Sequence, residues 1–253
     1  MSKHLNFFKE LVAELGFLTI LPVQAYDIDA AARGLYWSPI IGLIIGALSI
    51  FPAYLPIDPL LKGVTTFVLL YLFTGLLHLD GYADFCDVLG SGFRGEDALR
   101  VLKDPRKGAK AISCTFLLLI TVYTSLLVIL RENPLIIIFV NAGVYESLYL
   151  TALLGEPPEY KGLGRLFIRY SRRTVHLNIL TIIIILAVLA MIRSALDAFG
   201  FGLGLMASLI SSAYSSRRSL NILGMVNGDV IGFSLELARA IGFLVLAFAI
   251  GWG

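Results

Sequence analysis

Three aspartates pose the first chemical question in this chain. Asp80, Asp84 and Asp87 fall at i, i+4 and i+7 in the run His78-Leu79-Asp80-Gly81-Tyr82-Ala83-Asp84-Phe85-Cys86-Asp87, so a helix continued through them stacks all three carboxylates on one face. Like charges at that spacing repel by roughly a few tenths of a kcal/mol per pair. A hard divalent cation would offset the repulsion. Mg²⁺ matches best, because it binds through a few carboxylates and completes its shell with waters and substrate phosphate oxygens. Gly81 and Ala83 leave room for a phosphate or a neighbouring helix to come close. The alternative is a solvated helix end whose acids meet the basic residues that follow.

Those basic residues are Arg94, Arg100, Lys103, Arg106, Lys107 and Lys110, suited to neutralising phosphate oxygens, although a plain cytoplasmic loop carries the same composition. Asp104, next to Pro105 and flanked by Lys103 and Arg106, is a candidate further ligand or hydroxyl-orienting base. His78 is a candidate for proton transfer, or else a packed helix-end histidine. A second acidic group opens the last apolar segment, where Asn227-Gly228-Asp229 leads to Glu236. Asp229 and Glu236 are seven apart and share a helical face with Gly232 and Phe233. Ionisable residues in or near a span are functional candidates by default; for Glu236 the alternative is a local ion pair with Arg239. A second long loop, residues 159–169, has aromatic and basic residues that would hold a base or ring at a membrane surface. An amphipathic connector is the simpler account, and its Gly-x-Gly is too common to mark a phosphate loop.

The elements that must position these groups follow from composition. Of 253 residues 58% are hydrophobic and 15% charged, with mean hydropathy +0.85, against about 45–50% and about 25% in an ordinary soluble domain. Such values exclude a disordered chain, a nucleic-acid binder and an ordinary soluble enzyme. The apolar residues are spread along the whole length, which excludes a single-pass anchor. An all-α, polytopic transmembrane helix bundle in a lipid bilayer remains. Stretches able to cross about 30 Å of hydrocarbon lie at residues 35–54, 63–79, 111–130, 134–154, 174–192, 198–216 and 230–252, giving about seven spans. A closed barrel is disfavoured because runs such as residues 181–190 lack two-residue alternation.

Sorting Lys and Arg by alternate connections puts 16 of the 20 on one side, leaving Lys62, Arg131 and Arg193 opposite and Arg239 within the last span. The positive-inside rule then puts the N-terminus, and both acidic groups, on the cytoplasmic side of the cell membrane. Ahead of the first span, Leu5, Phe8, Leu11, Val12 and Leu15 share a helical face, with Lys9, Glu10 and Glu14 off it. This is the pattern of an N-terminal interfacial helix, or equally of a short helix packed on the bundle. Glu10 and Glu14 also interrupt any signal-peptide core, which leaves targeting to the spans. No repeat or linker divides residues 1–253, so a single integral-membrane domain is expected. The net charge of +2 attracts no particular partner. Cys86 and Cys114 stand outside any metal-type spacing and read as small core residues.

The run from His78 to Asp87 resembles the signature of the cobalamin synthase (adenosylcobinamide-GDP ribazoletransferase) family. Four other stretches are similar to that family in order: Phe17-Leu18-Thr19-Ile20-Leu21-Pro22, Pro39 through Gly46, Leu102-Lys103-Asp104-Pro105-Arg106-Lys107-Gly108, and Asn227-Gly228-Asp229 through Glu236. Asn227 stands where the family pattern has Thr, and Val88-Leu89-Gly90 replaces a Gly directly after Asp87.

The resemblance implies that α-ribazole or its 5′-phosphate is joined to adenosylcobinamide-GDP, giving adenosylcobalamin or its 5′-phosphate and releasing GMP, with Mg²⁺ as cofactor. In those terms Asp80, Asp84 and Asp87 hold one or two Mg²⁺ ions, Asp104 or Asp229 orients or deprotonates the acceptor hydroxyl, and His78 assists proton transfer. Arg100, Lys103, Arg106, Asn227 and Glu236 contact substrate. Two other readings compete. CDP-alcohol phosphotransferases share an Asp-Gly-x-Ala flavour, but they continue with an Arg after the Ala and a second Gly-x-x-x-Asp-x-x-x-Asp step that is missing here. A transporter would carry mid-membrane charges and repeated halves, whereas these acids gather at one surface. Apolar surface within lipid carries no information on self-association, so oligomeric state is left open.

Overall fold

The computed structural model describes residues 7–23, 27–160 and 162–251. Lys3, Leu5, Lys161 and Trp252, which enter the sequence expectations above, lie outside the described residues. The fold is all-helical, with twelve α-helices and no strand among the described residues. Six segments are long and apolar enough to cross a membrane. The first, Ile28–Tyr54, contains α2 (Ile28–Arg33), a 3₁₀ turn, α3 (Ser38–Ser49) and a second 3₁₀ turn. The others are α7 (Ala109–Glu132), α8 (Ile136–Leu154), α10 (Val175–Ile192), α11 (Ala195–Leu223) and α12 (Gly228–Ile250).

The expected straight span at residues 63–79 is broken. It consists of α4 (Pro59–Leu72) and α5 (Leu77–Ser91), bent by 82°, and counts as a seventh span only if the pair is taken together. The 14 residues of α4 reach only about 21 Å at 1.5 Å per residue, short of the hydrocarbon thickness. The break sits at Gly75 and Leu76, with φ of 59° and 60°. A left-handed Leu costs about 1 kcal/mol, and a backbone bond from Ile20 N to the Phe73 carbonyl, 2.8 Å, pins the turn.

Helix α8 forms the centre and is buried along most of its length. Its neighbours approach through small residues. A Cβ on Gly42 of α3 would fall 2.8 Å from the Ala142 Cα, and one on Gly204 of α11 would fall 2.4 Å from the Val140 carbonyl oxygen. Serines of α11 bridge the same seam, with Ser208 Oγ donating to the Gly143 carbonyl at 2.7 Å and Thr151 Oγ1 to Ser212 Oγ at 2.9 Å. Within lipid, where packing and interhelical hydrogen bonds drive helix association, such contacts hold a bundle together. The outer faces of α7 and α10 expose Ile112, Phe116, Ile179 and Ile183, as lipid-facing helices do.

Helix α1 (Phe7–Leu18) reverses the usual amphipathic arrangement. Glu10 and Glu14 face inward and are buried, while Phe8 is 76% exposed. Glu10 accepts hydrogen bonds from Arg33 Nε at 3.2 Å and Tyr36 OH at 3.0 Å. Of the apolar residues gathered by the sequence pattern, Phe8 faces outward, whereas Leu11 and Leu15 are partly buried against the core, so α1 is a short helix packed on the bundle. The inward acids follow from Arg33 and Tyr36, which supply partners that water cannot. Glu14 finds no partner among the described residues.

Candidate functional site

The bend after α4 turns α5 across the start of α12, and two glycines set how close the helices come. A Cβ on Gly81 would lie 2.8 Å from the Asp229 carbonyl oxygen, and one on Gly232 would lie 3.2 Å from the His78 Cα. Between them Tyr82 stacks on Phe233, with ring centroids 4.9 Å apart and planes 10° apart, while Phe85 meets the same ring edge-on at 5.0 Å. These contacts bring the two acidic groups of the sequence, Asp80 with Asp84 and Asp229, to one place.

Helix α5 does continue through all three aspartates, and they divide into two uses. Lys107, from the loop between α6 (Gly95–Leu102) and α7, places its Nζ 2.9 Å from Asp80 Oδ1 and in contact with Asp84 Oδ1. Desolvation pulls the Lys107 pKa down, but the hydrogen bonds and charges of Asp84 and Asp80 outweigh it and leave the group above its ordinary value. Asp87 turns to the start of α7, accepting from Gly108 N at 2.6 Å and Ala111 N at 2.8 Å. It satisfies amide groups that a helix start leaves without partners.

Asp104 forms a two-pronged pair with Arg106, at 2.9 and 2.7 Å. Hydrogen bonds from the Arg106 side chain and backbone hold its pKa down to about 2. A carboxylate so stabilised is a weak base. Arg100 donates to Asp97 at 3.0 Å, and Lys103 lies over the Tyr160 ring at 5.0 Å. Asn227 caps α12, accepting from Val230 N at 3.2 Å while its Nδ2 donates to Asp229 Oδ2 at 2.8 Å. Glu236 is fully buried in an ion pair with Arg239 at 2.5 Å, and the guanidinium lies 5.1 Å from the Tyr71 ring and 5.8 Å from that of Tyr145. Glu236 is therefore in the core, two turns from the carboxylate face. His78 is buried at 5% exposure, edge-on to Tyr145, and its Nε2 has no hydrogen-bond partner among the described residues.

Beside Asp229 and His78 opens a cavity of about 190 Å³. Its walls come from α1, α5, α8, the start of α12 and the amphipathic helix α9 (Leu163–Ser171), and are mostly apolar.

Whether these residues suit a divalent cation is decided by the donor set. Among the described residues no three His, Cys, Asp or Glu side chains are gathered tightly enough to hold a metal as they stand. Asp80 and Asp84 nevertheless already share one cationic group, the Lys107 ammonium, and Asp229 flanks them across Gly81. Two carboxylates converging on one positive charge, with room for phosphate oxygens, fit what Mg²⁺ uses. Asp87 is engaged with backbone amides and does not belong to that pair. Lys107 was only one member of a basic run in the sequence; its sole distinguishing signal is a contact 23 residues away. Asn227, expected to contact substrate, is instead engaged as the N-cap of α12, a role that the pattern of Asn ahead of an acidic first turn could have signalled.

The chain matches the cobalamin-5-phosphate synthase family over residues 10–247. It is 31% identical over 252 residues to an adenosylcobinamide-GDP ribazoletransferase of Stutzerimonas stutzeri, covering 95% of this chain and 98% of the relative. A protein of the same name from Clostridium botulinum strain Alaska E43 is 27% identical over 248 residues, with 94% and 96% covered. One from Methanococcoides burtonii is 27% identical over 264 residues, with 97% and 94% covered. No solved structure matches the chain.

Proposed function

Since the chain belongs to the cobalamin-5-phosphate synthase family, we propose that it is an adenosylcobinamide-GDP ribazoletransferase of the cell membrane, with its active site on the cytoplasmic face. It joins α-ribazole, or its 5′-phosphate, to adenosylcobinamide-GDP and releases GMP. The observation that carries this is the convergence of Asp80 and Asp84 on one cationic position, with Asp229 beside them across Gly81 at the crossing of α5 and α12. The orientation is supported by the basic residues gathered in the loops at the same end, Lys103, Arg106 and Lys107 among them.

In this reaction a ribose hydroxyl of the acceptor attacks the phosphorus attached to cobinamide. The new P–O bond forms as the bond to the bridging oxygen breaks, and GMP leaves with that oxygen. Such a transfer depends on positioning and on spreading negative charge. Asp80 and Asp84 would hold Mg²⁺, which when bound supplies Lewis-acid stabilisation at the diphosphate. Asp229, fixed by Asn227, takes the hydroxyl proton. Lys107 leaves the carboxylates for a phosphate oxygen, assisted by Lys103 and Arg100 from the same loop region. The buried Glu236–Arg239 pair holds α12 in place rather than touching substrate.

The test is incubation of the protein in lipid nanodiscs with adenosylcobinamide-GDP, α-ribazole and Mg²⁺. A corrinoid product carrying the nucleotide loop and one equivalent of GMP are expected. Failure to release GMP, or release unaffected by chelation of the metal, refutes the proposal.

A further inference from the structure

We propose that the cavity walled by α1, α5, α9 and the start of α12 seats the flat aromatic base of the acceptor. The inference rests on the ribazoletransferase reading and assigns its acceptor subsite.

Size is the first argument. The cavity measures about 190 Å³; an engineered apolar cavity of about 150 Å³ accepts benzene, so this one has room for a ring somewhat larger than benzene. Its lining is the second. Phe17 and Phe167, with ring centroids 5.2 Å apart, form one wall, and Leu18, Leu35, Leu148 and Ile231 line the rest. Aromatic walls of this kind favour offset or edge contacts with a flat guest.

Polarity is the third. The lining is apolar apart from His78 and Asp229, and the His78 Nε2 is enclosed in the core rather than open to the cavity. A nucleoside of benzimidazole type has one free ring nitrogen and no exocyclic polar group, so it brings little polarity against such walls. Guanine, the other base in the reaction, would bring several donors and acceptors into an apolar wall, where each unpaired group is costly.

Position is the fourth. Asp229 and Gly81 form the cavity's edge beside the carboxylates. A base seated there leaves its ribose next to the group assigned to take the hydroxyl proton. The mouth is formed by Leu163, 40% exposed at the start of α9, and by Gly228, where an added Cβ meets no atom within 4 Å.

Benzimidazole titrated into the wild-type protein in nanodiscs, with binding measured by calorimetry, tests this without turnover. Saturable one-to-one binding is expected, displaced by α-ribazole and not by GMP. Leu163→Trp at the mouth and Gly228→Leu, which fills open space, should each weaken it. In turnover both should raise the KM for α-ribazole about tenfold or more and leave the KM for adenosylcobinamide-GDP unchanged. Absent or non-saturable benzimidazole binding, displacement by GMP, or equal binding by both filled variants overturns the assignment. Should the wild type bind benzimidazole as described and yet release no GMP with any acceptor, the transferase reading fails while the ring site stands. Normal GMP release without benzimidazole binding gives the converse.

Discussion

Gly81 rests directly on the backbone of Asp229, so closely that a Cβ at 81 would stand 2.8 Å from its carbonyl oxygen and 2.9 Å from its Cα. Backbone, unlike a flexible side chain, cannot swing away. Gly81→Ala must therefore separate α5 from α12 and pull Asp229 from Asp80 and Asp84. Overpacking of this kind costs about 1–3 kcal/mol, and misplacement of about 1 Å can cost about a hundredfold in rate. The variant should remain folded by circular dichroism, melt several degrees lower, and lose at least tenfold in GMP release.

Lys107 shares Asp80 and Asp84 with any metal they hold, so the two cations compete. Lys107→Met should lower the Mg²⁺ concentration needed for half-maximal binding several-fold, and Asp84→Asn should raise it. Titration with Mn²⁺ followed by electron paramagnetic resonance reads both without turnover. Weaker Mn²⁺ binding in Lys107→Met would show that the lysine does not occupy the metal position.

Asp104 and Asp229 were equal candidates for the base, and their surroundings separate them. With its pKa near 2 and Arg106 on both oxygens, Asp104 has little affinity for a proton. A positioned base is worth about a hundredfold or more. Asp229→Asn should reduce kcat by that order with little change in KM, and Asp104→Asn by less than about tenfold. The reverse order would move the base to the α6–α7 loop.

Glu14 supplies a pH test away from the site. Burial pushes its pKa well above the ordinary 4.5. An acid raised on folding takes up a proton relative to the unfolded chain. Its contribution is thus most favourable below about pH 4.5 and declines as pH rises through the window up to the folded value. Glu14→Gln, which keeps the shape without an ionisable proton, should melt higher than the wild type at pH 7–8 and converge with it near pH 4. A uniform loss at every pH would mean that the carboxyl has a partner.

Much of the architecture is legible in the sequence, because long apolar runs have few solutions in lipid. The spans at α7, α8, α10 and α12 fall within two residues of their expected limits, while α11 continues seven residues past its expected end, to Leu223. The shared face of Asp80 and Asp84 followed from helical spacing alone. The break at Gly75 and Leu76 was hidden because leucine carries no turn signal and the flanking residues are apolar on both sides. Lys107 was hidden because a basic loop and a basic site have the same composition. For helix α1 the packed alternative holds, with Leu11 and Leu15 against the core, but the burial of Glu10 and Glu14 was not legible, because a helical pattern does not show the Arg33 and Tyr36 partners that draw Glu10 inward. Glu236 shows a further limit, since the same spacing that aligned it with Asp229 also put Arg239 one turn away, and the buried pair prevailed.

The Asp87 bonds to the start of α7 have a practical consequence for handling the protein. Helix α7 meets the bundle along one side and leaves much of its surface to the surrounding apolar phase, whereas α3, α8 and α11 are clasped by small residues and serines. A solubilising agent that loosens α7 from α4, α5 and α12 can leave that clasp intact. The loop bearing Lys107 departs with α7, and Asp87 loses its amide partners. Purified samples should thus become inactive while keeping nearly all their helical signal, so helicity is a poor guide to the quality of a preparation and turnover a good one.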